Sequence, residues 1–299
     1  MSFAPVALFC FNRTDHLKQS VTALQQNTLA RNTDVIFFSD GPRNNSEIPT
    51  IQEIRSYLKT VQGFNSVTVV EQPKNKGLAN SIIDGVTELL QTHNQLIVLE
   101  DDLVSSPHFL SFMNDALELY KDDLRFASVH GYCYPVGETL PDTFFLKGAD
   151  CWGWATTAQA WKVFNANGSE LLTQIKENNL VNEFDFNGAY PYTKMLQKQI
   201  EGKNNSWAIR WYASAFLNNM FTLYPGKSLV KNIGADSSGT HFGTTSYFDV
   251  DISNAPVTLI KKEINEDLTA KEIIASYFKR TSGNVPWYLR LSRILKRLG

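Results

Sequence analysis

Between residues 5 and 132 the sequence alternates short, mostly apolar runs with amphipathic stretches, and this alternation limits the fold more than any other feature. Strands are expected at residues 5–11, at 34–40 (DVIFFSD), at 66–72 (SVTVVEQ) and at 95–101 (QLIVLED), with a further run, FASVHGY, from Phe126. Between them, residues 14–26, 51–61, 78–92 and 107–120 place apolar side chains at helical spacing, with Thr14 or Asp15 available to cap the first helix. Strands that alternate with helices, and that read as nearly continuous apolar runs, form parallel sheets covered on both faces. Ligands of such sheets bind beyond the carboxyl ends of the strands. Here those ends carry FNR (11–13), SDGPR (39–43), EQPKNKG (71–77) and EDD (100–102), so polar groups converge on one edge.

The second half is less regular and rich in aromatic residues. It contains GADCWGWATTAQAW (148–161), NSWAIRWYASAFL (205–217) and GADSSGTHFG (234–243), and is read as short helices and loops forming a lobe over that edge. No linker separates the halves. The expected division is 1–132 and 133–256 within one domain, followed by a tail, 257–299, ending in VPWYLRLSRILKRLG.

At 299 residues and 43% hydrophobic content, the chain can bury a full core. A net charge of −2 provides no basic field for nucleic acid. Cys10, Cys133 and Cys151 are odd in number and fit no metal knuckle, so they are read as reduced thiols in a cytoplasmic protein. The start, MSFAPVALFCFNRTDH, lacks a basic leader and is expected to be a first strand, not a signal peptide. No run approaches the roughly 20 apolar residues of a membrane span.

Glu100, Asp101 and Asp102 pose the chemical question. Four of the five residues before them (Leu96, Ile97, Val98, Leu99) are apolar, so a buried strand runs into three adjacent carboxylates. Like charges this close repel, and desolvating any of them without a partner is costly. A solvated loop is the bland reading. Against it stands the position at the end of a central strand, where a hard cation, Mn²⁺ or Mg²⁺, would relieve the repulsion and leave coordination sites for phosphate. A P-loop enzyme is excluded: the only candidate, PGKS at 225–228, has Phe221 where the first glycine belongs and lies far from the first strand.

VLEDDL at the end of the fourth strand resembles the acidic metal-binding motif of GT-A-fold glycosyltransferases. The likeness is closest to the N-acetylglucosaminyltransferase that initiates complex N-glycans and to bacterial family 2-like sugar transferases. PVALFCFNR, FFSDG, NKGLANSI, GADCWGWATTAQAW and IGADSSGTHFG resemble further segments in the same order, so that the likeness spans roughly residues 4–245. The resemblance implies an α/β fold of GT-A (Rossmann-like) type: a mostly parallel sheet flanked by helices, with an acceptor-side lobe. It also implies transfer of a hexose or N-acetylhexosamine from a UDP-sugar to a glycan acceptor, with inversion favoured. Carried over by position, Asp102 would be the metal ligand, with Glu100 and Asp101 supporting it or binding ribose. Asp40 would pair with uracil near Phe11 and Arg13, and His241, Lys74, Lys76 and Arg210 would be candidates for phosphate contact. Trp152 and Trp154 would be either hydrophobic core or a platform for the acceptor sugar.

The sequence departs from the family at the general base. KNNSWAIRW (203–211) has no carboxylate where the eukaryotic relative has one; the nearest acids are Glu201 upstream and Asp236 downstream, with Asp150 and Asp185 further off. In the tail, Trp287, Leu291, Ile294, Leu295 and Leu298 fall at helical spacing among Arg290, Arg293, Lys296 and Arg297. That pattern suits an anionic membrane surface. It also suits a helix docked on its own domain or a dimer contact. The combined expectation is a peripheral enzyme on the inner face of the plasma membrane, extending a lipid-linked bacterial surface glycan. Alternatives from other classes are a nucleotidyltransferase, against which FNRTDH lacks a glycine-rich loop, and a non-catalytic nucleotide-sugar-binding relative.

Overall fold

A computed structural model describes residues 3–234 and 247–283. The first half follows the expected alternation: β1 (Val6–Cys10), α1 (Thr14–Gln25), β2 (Asp34–Ser39), α2 (Ile48–Leu58), β3 (Ser66–Glu71), α3 (Leu78–Leu89), β4 (Gln95–Glu100), β5 (Leu103–Ser105), α4 (Phe109–Tyr120) and β6 (Phe126–His130). The reason is visible in the packing. In β1, Val6, Leu8 and Cys10 enter one core layer, and Ala7 and Phe9 enter the other. In β4, Ile97 and Leu99 join the first layer, and Leu96 and Val98 the second. A strand with apolar residues at every position is what two helical layers require. On the first face lie Leu17, Val21, Leu24, Ile54, Leu58 and the apolar face of α4; on the second lie Ile82, Val86 and a group of tryptophans.

The second half differs from the expectation of helices and loops. It adds β7 (Thr143–Lys147), β8 (Trp154–Thr157), α5 (Ala158–Trp161), α6 (Gly168–Glu177), α7 (Val181–Phe184), α8 (Tyr192–Ile200), α9 (Trp207–Leu217), β9 (Phe221–Pro225), β10 (Val230–Asn232) and α10 (Leu268–Gly283). Three of these strands and β6 extend the same sheet, giving eight strands in the order β3-β2-β1-β4-β8-β6-β9-β7. β1, β2, β3 and β4 are mutually parallel, β8 runs antiparallel between β4 and β6, β6 and β9 are parallel, and β7 is an antiparallel edge. The architecture is the mixed α/β, mostly parallel sheet of a GT-A, Rossmann-like fold.

β8 went unread because WATT is four residues long and lies within an aromatic segment whose tryptophans dominate the pattern. β7 and β9 are likewise short, and both are buried along their length, so neither alternates. β10 pairs antiparallel with β5 as a separate two-stranded ribbon. From Phe248 to Asp267 the chain runs without regular structure to α10, held by contacts such as Tyr132 Oη–H to the Phe248 carbonyl (3.0 Å) and Asp267 N–H to the Phe145 carbonyl (2.9 Å). α10 then buries Ala270, Ile274, Tyr277 and Phe278 against Val136, Phe144, Leu146 and Tyr224. Among the described residues, no helix is long and apolar enough to cross a membrane. Residues 287–298, read as a basic amphipathic helix, lie outside the described residues.

Candidate functional site

The parallel strands β1, β2, β3 and β4 bring Phe11–Arg13, Asp40, residues 72–77 and the acidic triplet to one edge. β8 arrives from the opposite direction with Trp154 beside Val98, so the segment just before it, residues 150–153, approaches the end of β4.

The carboxylates of the triplet have different surroundings. Asp101 is buried, takes the Phe11 N–H on Oδ2 (3.2 Å) and bonds Arg13 through Oδ1. Its main-chain carbonyl accepts from Ser20 Oγ (2.8 Å). Asp102 pairs with the same guanidinium at 2.9 Å and keeps its side chain 13% exposed. Burial raises the Glu100 carboxyl above its ordinary value, and Asp102 and Asp101 beside it push the same way against Arg13. Burial also raises Asp101, and here Arg13 opposes it. For Arg13, burial works against the charge, but Asp101 and Asp102 outweigh it and hold the guanidinium above its ordinary value. The repulsion is therefore met first by a side chain of the protein, for which Arg13 at the start of α1 is well placed.

The β5–β10 ribbon brings a second element to the triplet. Ile233 N–H donates to the Asp102 carbonyl (2.9 Å), and Gly234 follows. A Cβ at Gly234 would lie 2.3 Å from Asp102 Oδ2 and 2.9 Å from an Arg13 nitrogen, so only glycine lets the backbone come this close. The sequence reading quoted this segment for His241 and passed over Gly234.

Asp40 is enclosed. Its Oδ1 accepts from Gly41 and Lys76 N–H (both 2.8 Å), and its Oδ2 accepts from Asn75 Nδ2 and Gly77 N–H (both 2.9 Å). These contacts shape the 74–77 loop, and the carboxylate was read as a partner for uracil. Lys76 Nζ turns to Asp84 (2.9 Å). Phe11 carries the Arg43 guanidinium over its ring at 4.8 Å.

The other side of the site is built around Asp150. Its Oδ2 accepts from Tyr134 Oη–H (2.7 Å) and Tyr224 Oη–H (3.4 Å), and its Oδ1 accepts from Cys151 N–H (2.9 Å). The side chain stays 25% exposed. His130, fully buried, accepts the Trp152 N–H on Nε2 (2.9 Å) and lies 3.9 Å from Asp150 Oδ1. Burial lowers the His130 pKa although Asp150 pulls the other way, which keeps the ring neutral with its proton on Nδ1. The Cys151 thiol joins the two sides: burial raises its pKa first, then the charges of Asp150, Glu100 and Asp102. One thiol thus lies within electrostatic reach of both acidic groups.

The remaining sequence candidates are elsewhere. Glu201 lies on the surface at the end of α8, paired with Lys203 Nζ (2.6 Å). Asp185 accepts the Thr193 N–H (2.6 Å). Arg210 is buried within α9, with Nε to the Ser206 carbonyl (3.2 Å), away from the phosphate edge it was expected to serve. Trp154 is 1% exposed and packs on Trp207 (5.4 Å), so of its two readings, core and sugar platform, the structure gives core. Trp152 is half-buried, edge-on to Tyr132 (4.8 Å) and Phe248 (5.6 Å). Asp236 and His241 lie outside the described residues. Tyr134, Tyr224 and His130, which frame Asp150, were not anticipated; His130 and Tyr134 lie four residues apart at and just after the end of β6, and Tyr224 lies far downstream on β9.

Among the described residues, no group of three or more His, Cys, Asp or Glu is arranged to hold a metal by itself. The residues present fit a cation that takes one protein ligand. Asp102 offers a partly exposed carboxylate beside the space that a Gly234 Cβ would fill, and magnesium-type ions often use one or two carboxylates with substrate phosphates.

Residues 6–176 match the family described as "Glycosyl transferase family 2", and the chain belongs to it. No curated protein matches the chain. Solved structures that match the chain include a mannosyltransferase from Pyrobaculum calidifontis in complex with GDP-Man and Mn²⁺, at 12% identity and TM-score 0.32. Others are S. aureus TarS, at 10% and 0.35, and a UDP-glucose pyrophosphorylase complexed with UDP-glucose, at 12% and 0.37. The matches cover 46%, 54% and 75% of this chain, and the chain covers 37%, 30% and 90% of those proteins.

Proposed function

We propose that the chain transfers a sugar from a UDP-sugar to a hydroxyl of a glycan acceptor, with Asp102 holding a divalent cation, Mn²⁺ or Mg²⁺, and Asp150 acting as general base. The observation that carries this reading is Asp150, part-exposed and held by two tyrosine hydroxyls, on the segment that β8 brings to the end of β4, where the acidic triplet lies. A cation bound with the diphosphate would supply Lewis-acid neutralisation of the departing charge.

The protein's own groups account for the rest. Asp150 is oriented by two tyrosine hydroxyls and a main-chain N–H, with part of its surface open to a substrate. Held beside an acceptor hydroxyl, it would take that proton as the oxygen bonds to the sugar C1 and the C1–O bond to the diphosphate breaks. This displacement inverts the anomeric centre. Phe11, Arg13 and the 74–77 loop shaped by Asp40 would form the nucleotide end, in residues 1–132; Trp152 would border the acceptor, in residues 133–256. Release of UDP from a panel of UDP-sugars, with Mn²⁺ and candidate acceptors, tests the reading. No release with any donor would reject it.

A lipid-linked acceptor at the inner face of the plasma membrane goes with the basic amphipathic pattern of residues 287–298. Deleting residues 287–299 is expected to weaken binding to anionic vesicles by about tenfold or more, given about 1 kcal/mol for each basic residue near the surface. Sedimentation with vesicles measures this, and equal binding by the shortened chain rejects the anchor.

A further inference from the structure

The acidic triplet holds a cation supplied by the chain itself. Arg13 Nη2 bonds Asp101 Oδ1 and lies 2.9 Å from Asp102 Oδ2, with the arginine side chain 19% exposed. Asp101 is further committed to the Phe11 N–H. Of the two carboxylates that Arg13 bonds, Asp102 has the fewer other partners, and Arg13 is its cation.

A guanidinium is permanently charged, and its fork suits carboxylate and phosphate alike. A divalent cation that takes Asp102 has to displace Arg13 from it. The displaced guanidinium keeps Asp101 but leaves its charge beside the metal, which a further anion would offset. A nucleoside diphosphate is such an anion, and it also supplies oxygens to the metal. We propose that Arg13 is the resident counter-ion of Asp102 and makes cation binding conditional on the diphosphate. The cation alone competes with an internal charge; the cation with the diphosphate brings the group to which Arg13 transfers. This rests on the reading of Asp102 as the metal-holding carboxylate.

The test measures Mn²⁺ binding to the full chain, by electron paramagnetic resonance of the free ion, with and without UDP, and checks folding by thermal melting. Arg13→Gln is expected to tighten nucleotide-free Mn²⁺ binding about tenfold, because the partly buried competitor is gone. The further gain from UDP should shrink. Unchanged nucleotide-free affinity overturns the proposal. Arg43→Gln removes the same charge from the same edge, but from a guanidinium paired with Glu47, and should stay within about twofold of the parent. Equal tightening there would mark a general charge effect and also overturn the proposal. Should Arg13→Gln not fold, Arg13→Lys keeps the charge without the fork, and about threefold tightening is expected; no change overturns it again. Asp102→Asn separates the two readings. Mn²⁺-dependent UDP binding that survives in Asp102→Asn rejects the metal site itself. Loss there, with Arg13→Gln behaving as the parent, rejects only the role of Arg13.

Discussion

The two sides of the site are built in opposite ways. On the β1–β4 side, chemistry is concentrated in sequence: Glu100, Asp101 and Asp102 are adjacent, and the parallel strands bring their partners by repetition of one β-α unit. On the Asp150 side, chemistry is dispersed. Asp150 is a single carboxylate made specific by His130 and Tyr134, from the end of β6 and the loop after it, and by Tyr224 of the neighbouring β9, segments that meet through the mixed half of the sheet. The first side faces excess charge and needs cations; the second positions one charge and needs donors. A side built on charge is sensitive to counter-ions, whereas a side built on orientation is sensitive to the loss of a single hydroxyl.

Paired substitutions test that contrast most strongly. Asp150→Asn is expected to lower turnover by about a thousandfold, the scale of general-base catalysis, with Mn²⁺-dependent UDP binding within a few-fold of the parent. Asp102→Ala should do the reverse, abolishing Mn²⁺-dependent UDP binding in calorimetry. If Asp150→Asn also lost UDP binding, the two sides would not be separable.

A smaller effect is expected for Tyr134→Phe, which removes a 2.7 Å donor but leaves the ring in place. Turnover should fall about tenfold with KM for the donor unchanged, matching the loss of one hydrogen bond to a charged group. A rise in donor KM instead would mean that Tyr134 serves the nucleotide side.

The smallest effect concerns stability. The folded-state pKa of Glu100 is raised above its ordinary 4.5, so the protonated form is favoured in the fold. Stability from that proton is complete below 4.5 and is lost as pH rises through the raised value. Glu100→Gln should therefore melt about 2 °C higher than the parent at alkaline pH, in the absence of metal, and equally at pH 4. A difference that is constant across pH would assign the effect to packing instead of charge.

The contrast also explains what the sequence revealed. The first half was legible because helical and strand periods differ and because the central strands β1 and β4 are apolar up to their carboxyl ends. That rule located the acids and the edge. It did not show that Arg13 faces the acids, because one arginine after a strand has no period. Nor did it show that both Asp40 oxygens are taken by its own loop. In the second half, β7, β8 and β9 are too short to alternate, and in sequence Trp152 and Trp154 signal core as strongly as ligand. Asp150 was one of four base candidates by proximity in sequence. What distinguishes it is two tyrosines 16 and 74 residues away, a relation that only the folded chain contains.

The packing of α10 has a practical consequence. Phe278 meets Tyr134 edge-on at 4.9 Å and Tyr190 at 5.0 Å, and Arg280 ties down Glu138. A chain shortened to residue 256 would keep every strand of the sheet and both groups of carboxylates. It would nonetheless strip the rear wall from the tyrosine that holds Asp150. The smallest fragment worth expressing for acceptor studies therefore runs past Arg280, well beyond the family-matched segment that ends at 176.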